Sequence, residues 1–193
     1  MIKASYLDGQ LLLAMPNMTD PRFDRSVIYM CSHSEEGAMG LVINNCAVNI
    51  DFPGLLDQLD VDFDLRGFGG HEMEEVILHA GGPVETGRGF ILHSADYIQD
   101  STLIISETVA LTATVDILAA IAQEEGPRDY IIALGYTGWG AGQLESEILR
   151  NSWLNIEPDE ELLFRTDLDL KWARAMAKLG IDISMLSTHA GNA

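Results

Sequence analysis

The densest chemistry in this sequence lies in residues 135–153, GYTGWGAGQLESEILRNSW, where four glycines, two tryptophans, a glutamine and two glutamates share one strand-to-helix pattern. A strand–glycine loop–helix unit can present backbone N–H groups to a phosphate. The spacing argues against that here. With Gly138 and Gly140 as the first two glycines of GxGxxG, the third position holds Gln143, and no GxxxxGK[ST] occurs. Glu145 and Glu147 fall in the first helical turns, where carboxylates complement the helix dipole and repel an anion. The stretch reads as a structural corner, or as the border of a site for a neutral or cationic partner. Gly135, Trp139, Gln143 and Glu145 are its candidate contacts.

Further candidates are scattered. Gly81-Gly82-Pro83 could form an anion-binding nest between two strands, or simply a tight hairpin turn. His71-Glu72 begins HExxH, but Glu75 stands where the second histidine belongs, so the zinc motif is absent. His79 and His93 flank an expected hairpin. At about 3.3 Å per residue they would lie roughly 10–15 Å apart, too far to share a metal. His33 and His93 both close strands and could converge on a site, or each could be a satisfied strand-end histidine. Asp60, Asp62 and Asp64 match the first three ligand positions of an EF-hand, yet Leu65 and His71 occupy the glycine and glutamate positions. Their alternation with Val61, Phe63 and Leu65 suits an edge strand. No GxSxG elbow or cysteine-protease signature is present. Cys31 sits in an apolar strand and reads as an inert buried thiol, whereas Cys46 follows a polar turn. No catalytic residue, metal site or cofactor is assigned.

The elements that would position these residues are strands and turns interspersed with helices. Strands are expected over 10–15, 26–32, 39–43, 76–79, 89–93, 103–106 and 130–134, the second and third forming a hairpin through Glu35-Glu36-Gly37. A short helix follows Pro53. Residues 66–75, rich in glycine and acid, read as a loop. A helix over 114–124 places Val115, Leu118, Ala119 and Ala122 on one face, with Thr112 or Thr114 as its cap. The all-apolar run 130–134 suits a central strand covered on both sides. A short strand is expected at 162–164, and a last helix over 168–179 ends at Gly180.

Composition narrows the partners. The 193 residues suffice for one domain with a full core. Eleven Lys and Arg against 30 Asp and Glu give a net charge of −19. Such a surface repels phosphate backbones, so direct nucleic-acid binding is disfavoured, as is an anionic membrane surface. It favours a cationic ligand or a basic protein partner. No run approaches the ~20 apolar residues of a membrane span, and two cysteines make no disulfide framework. A reducing cytoplasm is the expected location.

Taken together, the ordered motifs resemble the YqgE/AlgH family of bacterial proteins. They are Arg25-Ser26-Val27, His33, Gly37-Ala38-Met39-Gly40 and Asn44; Gly81-Gly82-Pro83-Val84 and Arg88 to His93; then Gly135-Tyr136, Trp139, Gly142 to Glu145, Glu147, Asn151 and Trp153. The resemblance implies a single α+β domain over 1–193, with a branched mixed β-sheet curling toward a small barrel and helices packed outside. The family has no agreed mechanism, and some members are described as regulators of transcription or exopolysaccharide production. Asn45 and Cys46 follow Asn44 where the family often has a basic residue and proline, and His79 is likewise a departure.

The leading expectation is a cytosolic, non-enzymatic binding or regulatory protein acting through a protein or small-molecule partner and influencing transcription indirectly. Its candidate ligand residues are His33, Asn44, Gly81, Gly82, Pro83, His93, Gly135, Trp139, Gln143 and Glu145. The alternative is a hydrolase-like enzyme using His33 or His93 with nearby carboxylates. The ligand and the oligomeric state are not written in the sequence.

Overall fold

The computed structural model describes residues 6–61 and 75–181. Most of the expected edge strand at 60–65 and of the loop at 66–75, His71 included, lies outside the described residues. The chain divides into two compact units, Met1–Asn44 with Gly138–Ala193, and Asn45–Thr137.

In the first unit β1 (Leu11–Ala14) lies between β2 (Val27–Ser34) and β9 (Trp153–Ile156), antiparallel to both. β3 (Gly37–Val42) forms the expected hairpin with β2. Every residue of β1 is buried, as its unbroken LLLA predicts for a strand covered on both faces. A register shift between Met30 and Ser32 marks a bulge at Cys31. Beyond it the strand alternates, with Ser32 and Ser34 outward and His33 inward. α3 (Gln143–Leu149) begins after Gly142, whose φ of 72° is the left-handed conformation that glycine adopts without strain. Its Leu144 joins Leu12, Ile28, Met30, Trp139 and Trp153 in the core. α4 (Leu168–Lys178) buries Trp172, Ala175 and Met176, and the Trp172 indole donates to Ala14 O at 2.9 Å.

The second unit is organised on β8 (Tyr130–Gly140), a strand that crosses the unit boundary after Thr137. β5 (Val84–Ser94) pairs with β8 antiparallel and β4 (Leu78–Ala80) pairs with it parallel, so the sheet is mixed. β7 (Val109–Thr112) lies on β5, and β6 (Leu103–Ile104) on β7. α1 (Phe52–Gln58) and α2 (Asp116–Ala122) pack Phe52, Leu55, Leu56, Ile117, Leu118 and Ile121 against Leu78, Ile91 and Ile132. The Asp51 carboxylate caps α1 by accepting from Gly54 N–H at 2.8 Å. Strands and helices on this plan make an α+β fold.

Several local expectations are corrected. Residues 162–164 form no strand; Glu161–Arg165 is a π-helix. Three apolar residues carry too little periodicity to separate the two, and side chains settle it. Asp159 accepts from Leu162 N–H, and Lys171 Nζ donates to Leu163 O. β4 and β5 are not a hairpin, because each pairs with β8 instead. The expected turn at 86–87 lies inside β5, where the register shifts between Val84 and Gly89. Helix α2 starts at Asp116 without a threonine cap. Thr112 is committed elsewhere, to His93 and Thr102.

Candidate functional site

His33, Trp139, Gln143 and Glu145 come together in the first unit, around one buried imidazole and one short helix. His33 is 7% exposed. The backbone N–H of Leu7 donates to its Nδ1 at 3.1 Å. A nitrogen that accepts cannot carry the proton, which assigns the ring hydrogen to Nε2. Nε2–H then donates to Glu145 Oε1 at 2.9 Å. The same N-terminal segment grips the histidine twice more. The His33 N–H donates to Asp8 Oδ1 at 2.7 Å, and the Tyr6 ring meets the imidazole edge-on at 5.4 Å. Both ring nitrogens are therefore engaged.

The Glu145 carboxylate is 47% exposed. Its own backbone N–H does most to hold its carboxyl below the ordinary range; the His33 hydrogen bond adds to this and partial desolvation opposes it. The outcome is an ionised, oriented carboxylate facing solvent, with the exposed Asp8 attached to the same histidine.

α3 holds Glu145 in place through a second carboxylate. Glu147 Oε2 accepts from both the Trp139 and the Trp153 indole N–H, at 2.9 and 2.8 Å. Its Oε1 accepts from Gln143 Nε2 at 2.9 Å, and Gln143 Oε1 in turn accepts from Gly140 N–H at 3.0 Å. The two indoles meet edge-to-face, with centroids 5.9 Å apart. Gln143 and Glu147 are four residues apart on one helical face, while Glu145, two residues from each, points to the other side. One helix thus anchors with one carboxylate and presents the other.

The remaining candidates have structural surroundings. Asn44 accepts from Val27 N–H at 2.8 Å and donates to Arg25 O at 2.9 Å, tying a loop to a strand end. In the second unit Gly81, Gly82 and Gly135 lie backbone against backbone. A Cβ on Gly81 would sit 2.4 Å from Gly135 O, and one on Gly82 would sit 2.1 Å from the Tyr136 carbonyl carbon. Pro83 beside them is exposed. His93 is fully buried. Its Nδ1–H donates to Ser94 O and its Nε2 accepts from Thr112 Oγ1, each at 2.9 Å. Desolvation lowers its pKa, against the Ser94 bond and the nearby Asp96, which raise it. Among the described residues no group of three or more His, Cys, Asp or Glu could hold a metal ion.

Sequence reasoning missed the Tyr6–Asp8 segment and the double indole clasp on Glu147. Glu147, at i+4 from Gln143 and flanked by the two tryptophans, was the available signal for the clasp.

Comparison with known proteins finds relatives in sequence and in fold. A family model described as AlgH-like matches residues 11–184. A UPF0301 protein of Afipia carboxidovorans is 55% identical over 195 residues, covering 98% of this chain and 91% of the relative. One from Beijerinckia indica is 56% identical over 193 residues, covering 98% and 93%. The solution structure of the AlgH protein from Pseudomonas aeruginosa superposes with a TM-score of 0.78 at 39% identity, covering 100% of this chain and 99% of that one. A crystal structure from Corynebacterium diphtheriae shares the fold at a TM-score of 0.67 and 17% identity, covering 92% and 90%.

Proposed function

The chain belongs to the AlgH-like family, and we propose that it is a non-enzymatic binding protein of the cytosol. Its Tyr6–Asp8–Glu145 surface recognises a basic segment of a protein partner. The observation that carries this is the state of His33. A catalytic base needs a ring nitrogen that can take a substrate proton. Here Leu7 N–H occupies Nδ1, and Nε2–H is spent on Glu145. The hydrolase alternative meets the same obstacle at His93, whose nitrogens engage Ser94 and Thr112 in a buried position. What the His33 arrangement supplies is an aimed negative charge beside an aromatic ring, suited to a lysine or arginine side chain. The net charge of −19 steers such a partner inward. Any influence on transcription then passes through the bound protein, because the same charge disfavours phosphate backbones.

The test is a titration with a short arginine- and lysine-containing peptide. Glu145→Gln is compared with Glu107→Gln, which removes the same charge from an exposed position in the second unit. The proposal expects Glu145→Gln to weaken binding several-fold more than Glu107→Gln. Equal effects would reduce the interaction to nonspecific charge attraction and refute the site.

A further inference from the structure

An open cavity of about 390 Å³ lies in the second unit beyond the C-terminal end of α2, toward the lower end of the size range of small-molecule sites. Its body is apolar, with Val76, Ile121 and Pro127 as walls and the half-buried ring of Tyr130 as another. Two polar residues that line it have no protein partner for their side chains among the described residues. One is Tyr130, and the other is the exposed Glu124, set just past α2 by a left-handed backbone with φ of 57°. Burial pushes the Tyr130 phenol up, keeping it a protonated donor.

The local charge decides which ligand suits the cavity. Arg128 also lines it, but its Nε donates to Asp129 Oδ2 at 2.8 Å, and its backbone N–H binds Asp96 Oδ2 at 3.1 Å. Of the two charged lining residues, Arg128 is thus paired with Asp129, which leaves the charge of Glu124 to meet a ligand. The carbonyl end of α2 adds a partial negative charge of its own. An anion would be repelled, and a neutral hydrocarbon would leave the carboxylate unpaired.

We propose that this cavity binds a small organic ammonium compound with an apolar body, the ammonium against Glu124 and the body between Val76, Ile121, Pro127 and the Tyr130 ring. This site is separate from the Glu145 surface and stands or falls independently of it.

The test uses phenethylamine, with phenylacetate as its anionic counterpart and Glu107→Gln as a charge control, followed by amide-shift titration in NMR. The expected result is saturable shifts at Ile121, Gly126 and Tyr130 with phenethylamine and little response to phenylacetate. Affinity should fall roughly tenfold or more in Glu124→Gln, as for loss of one charge-assisted hydrogen bond, while Glu107→Gln binds like the parent. Val76→Trp, which fills the cavity, should abolish binding; its own amide spectrum reports that it remains folded. Equal binding of phenylacetate, undiminished affinity in Glu124→Gln, or no saturable shift at these amides would overturn the proposal.

Discussion

Replacing Glu147 with leucine is the sharpest probe of how the first unit is held together. The carboxylate accepts from two nearly buried indoles, with Trp139 6% and Trp153 2% exposed, and from Gln143. Removing it leaves two indole N–H groups without a partner, at about 1–3 kcal/mol each. Leucine is an equally good helix former and returns part of this as apolar burial on the Leu144 side of the core. The expected net loss is about 3 kcal/mol, which lowers the guanidinium midpoint by roughly 0.5–1 M. All three tryptophans, 139, 153 and 172, lie in the first unit. Tryptophan emission during denaturation therefore reports the unit in question, while far-UV circular dichroism reports both. Glu147→Gln keeps one carbonyl acceptor and should lose about half as much. A Glu147→Leu midpoint within 0.1 M of the parent would refute the idea that this carboxylate docks α3.

Three other outcomes follow from particular surroundings. Lys171, 2% exposed, has its pKa pushed down to about 8 from 10.5 by burial. Between those values the unfolded chain holds more protons, so stability should rise with pH from about 8 to 10.5, by at most about 3 kcal/mol. Lys171→Met should flatten that rise; parallel slopes in the two proteins would contradict this. Gly82→Ala places a Cβ 2.1 Å from the Tyr136 carbonyl carbon and 2.5 Å from Thr137 N, at a φ of 155°. It should cost more than about 3 kcal/mol, seen as a large drop in the melting temperature of the second unit. Cys31 is buried with its thiol pushed up to about 12, whereas Cys46 is exposed. A thiol reagent at pH 8 should titrate one cysteine in the native protein and two in denaturant.

Much of this architecture was readable in advance, where side-chain pattern and backbone demand coincide. The apolar run at 10–15 read as a buried strand, Pro53 opened a helix, and the β2–β3 hairpin followed from its turn residues. Readability failed where tertiary contacts decide. Leu162 and Leu163 are equally apolar in a strand or a helix, and the side chains of Asp159 and Lys171 select the π-helix. The glycines after residue 134 suggested a loop, yet Gly135, Gly138 and Gly140 all lie within β8. At the site, Trp139, Gln143 and Glu145 stood out by type and spacing. His33 lies 112 residues from Glu145, and its other partners are a backbone N–H and a carboxylate from a segment with no motif. A backbone donor leaves no trace in residue identity, so the neutral, fully engaged histidine could only be found in three dimensions.

That engaged histidine, and the carboxylate it aims, carry the account of function. The most direct measurement is the affinity of a basic peptide for the parent, Glu145→Gln and Glu107→Gln proteins over a range of salt concentrations. The account predicts a selective, several-fold loss in Glu145→Gln, with affinity in the parent falling as salt rises. Binding that is unchanged in Glu145→Gln, or that drops equally in both variants, would contradict it.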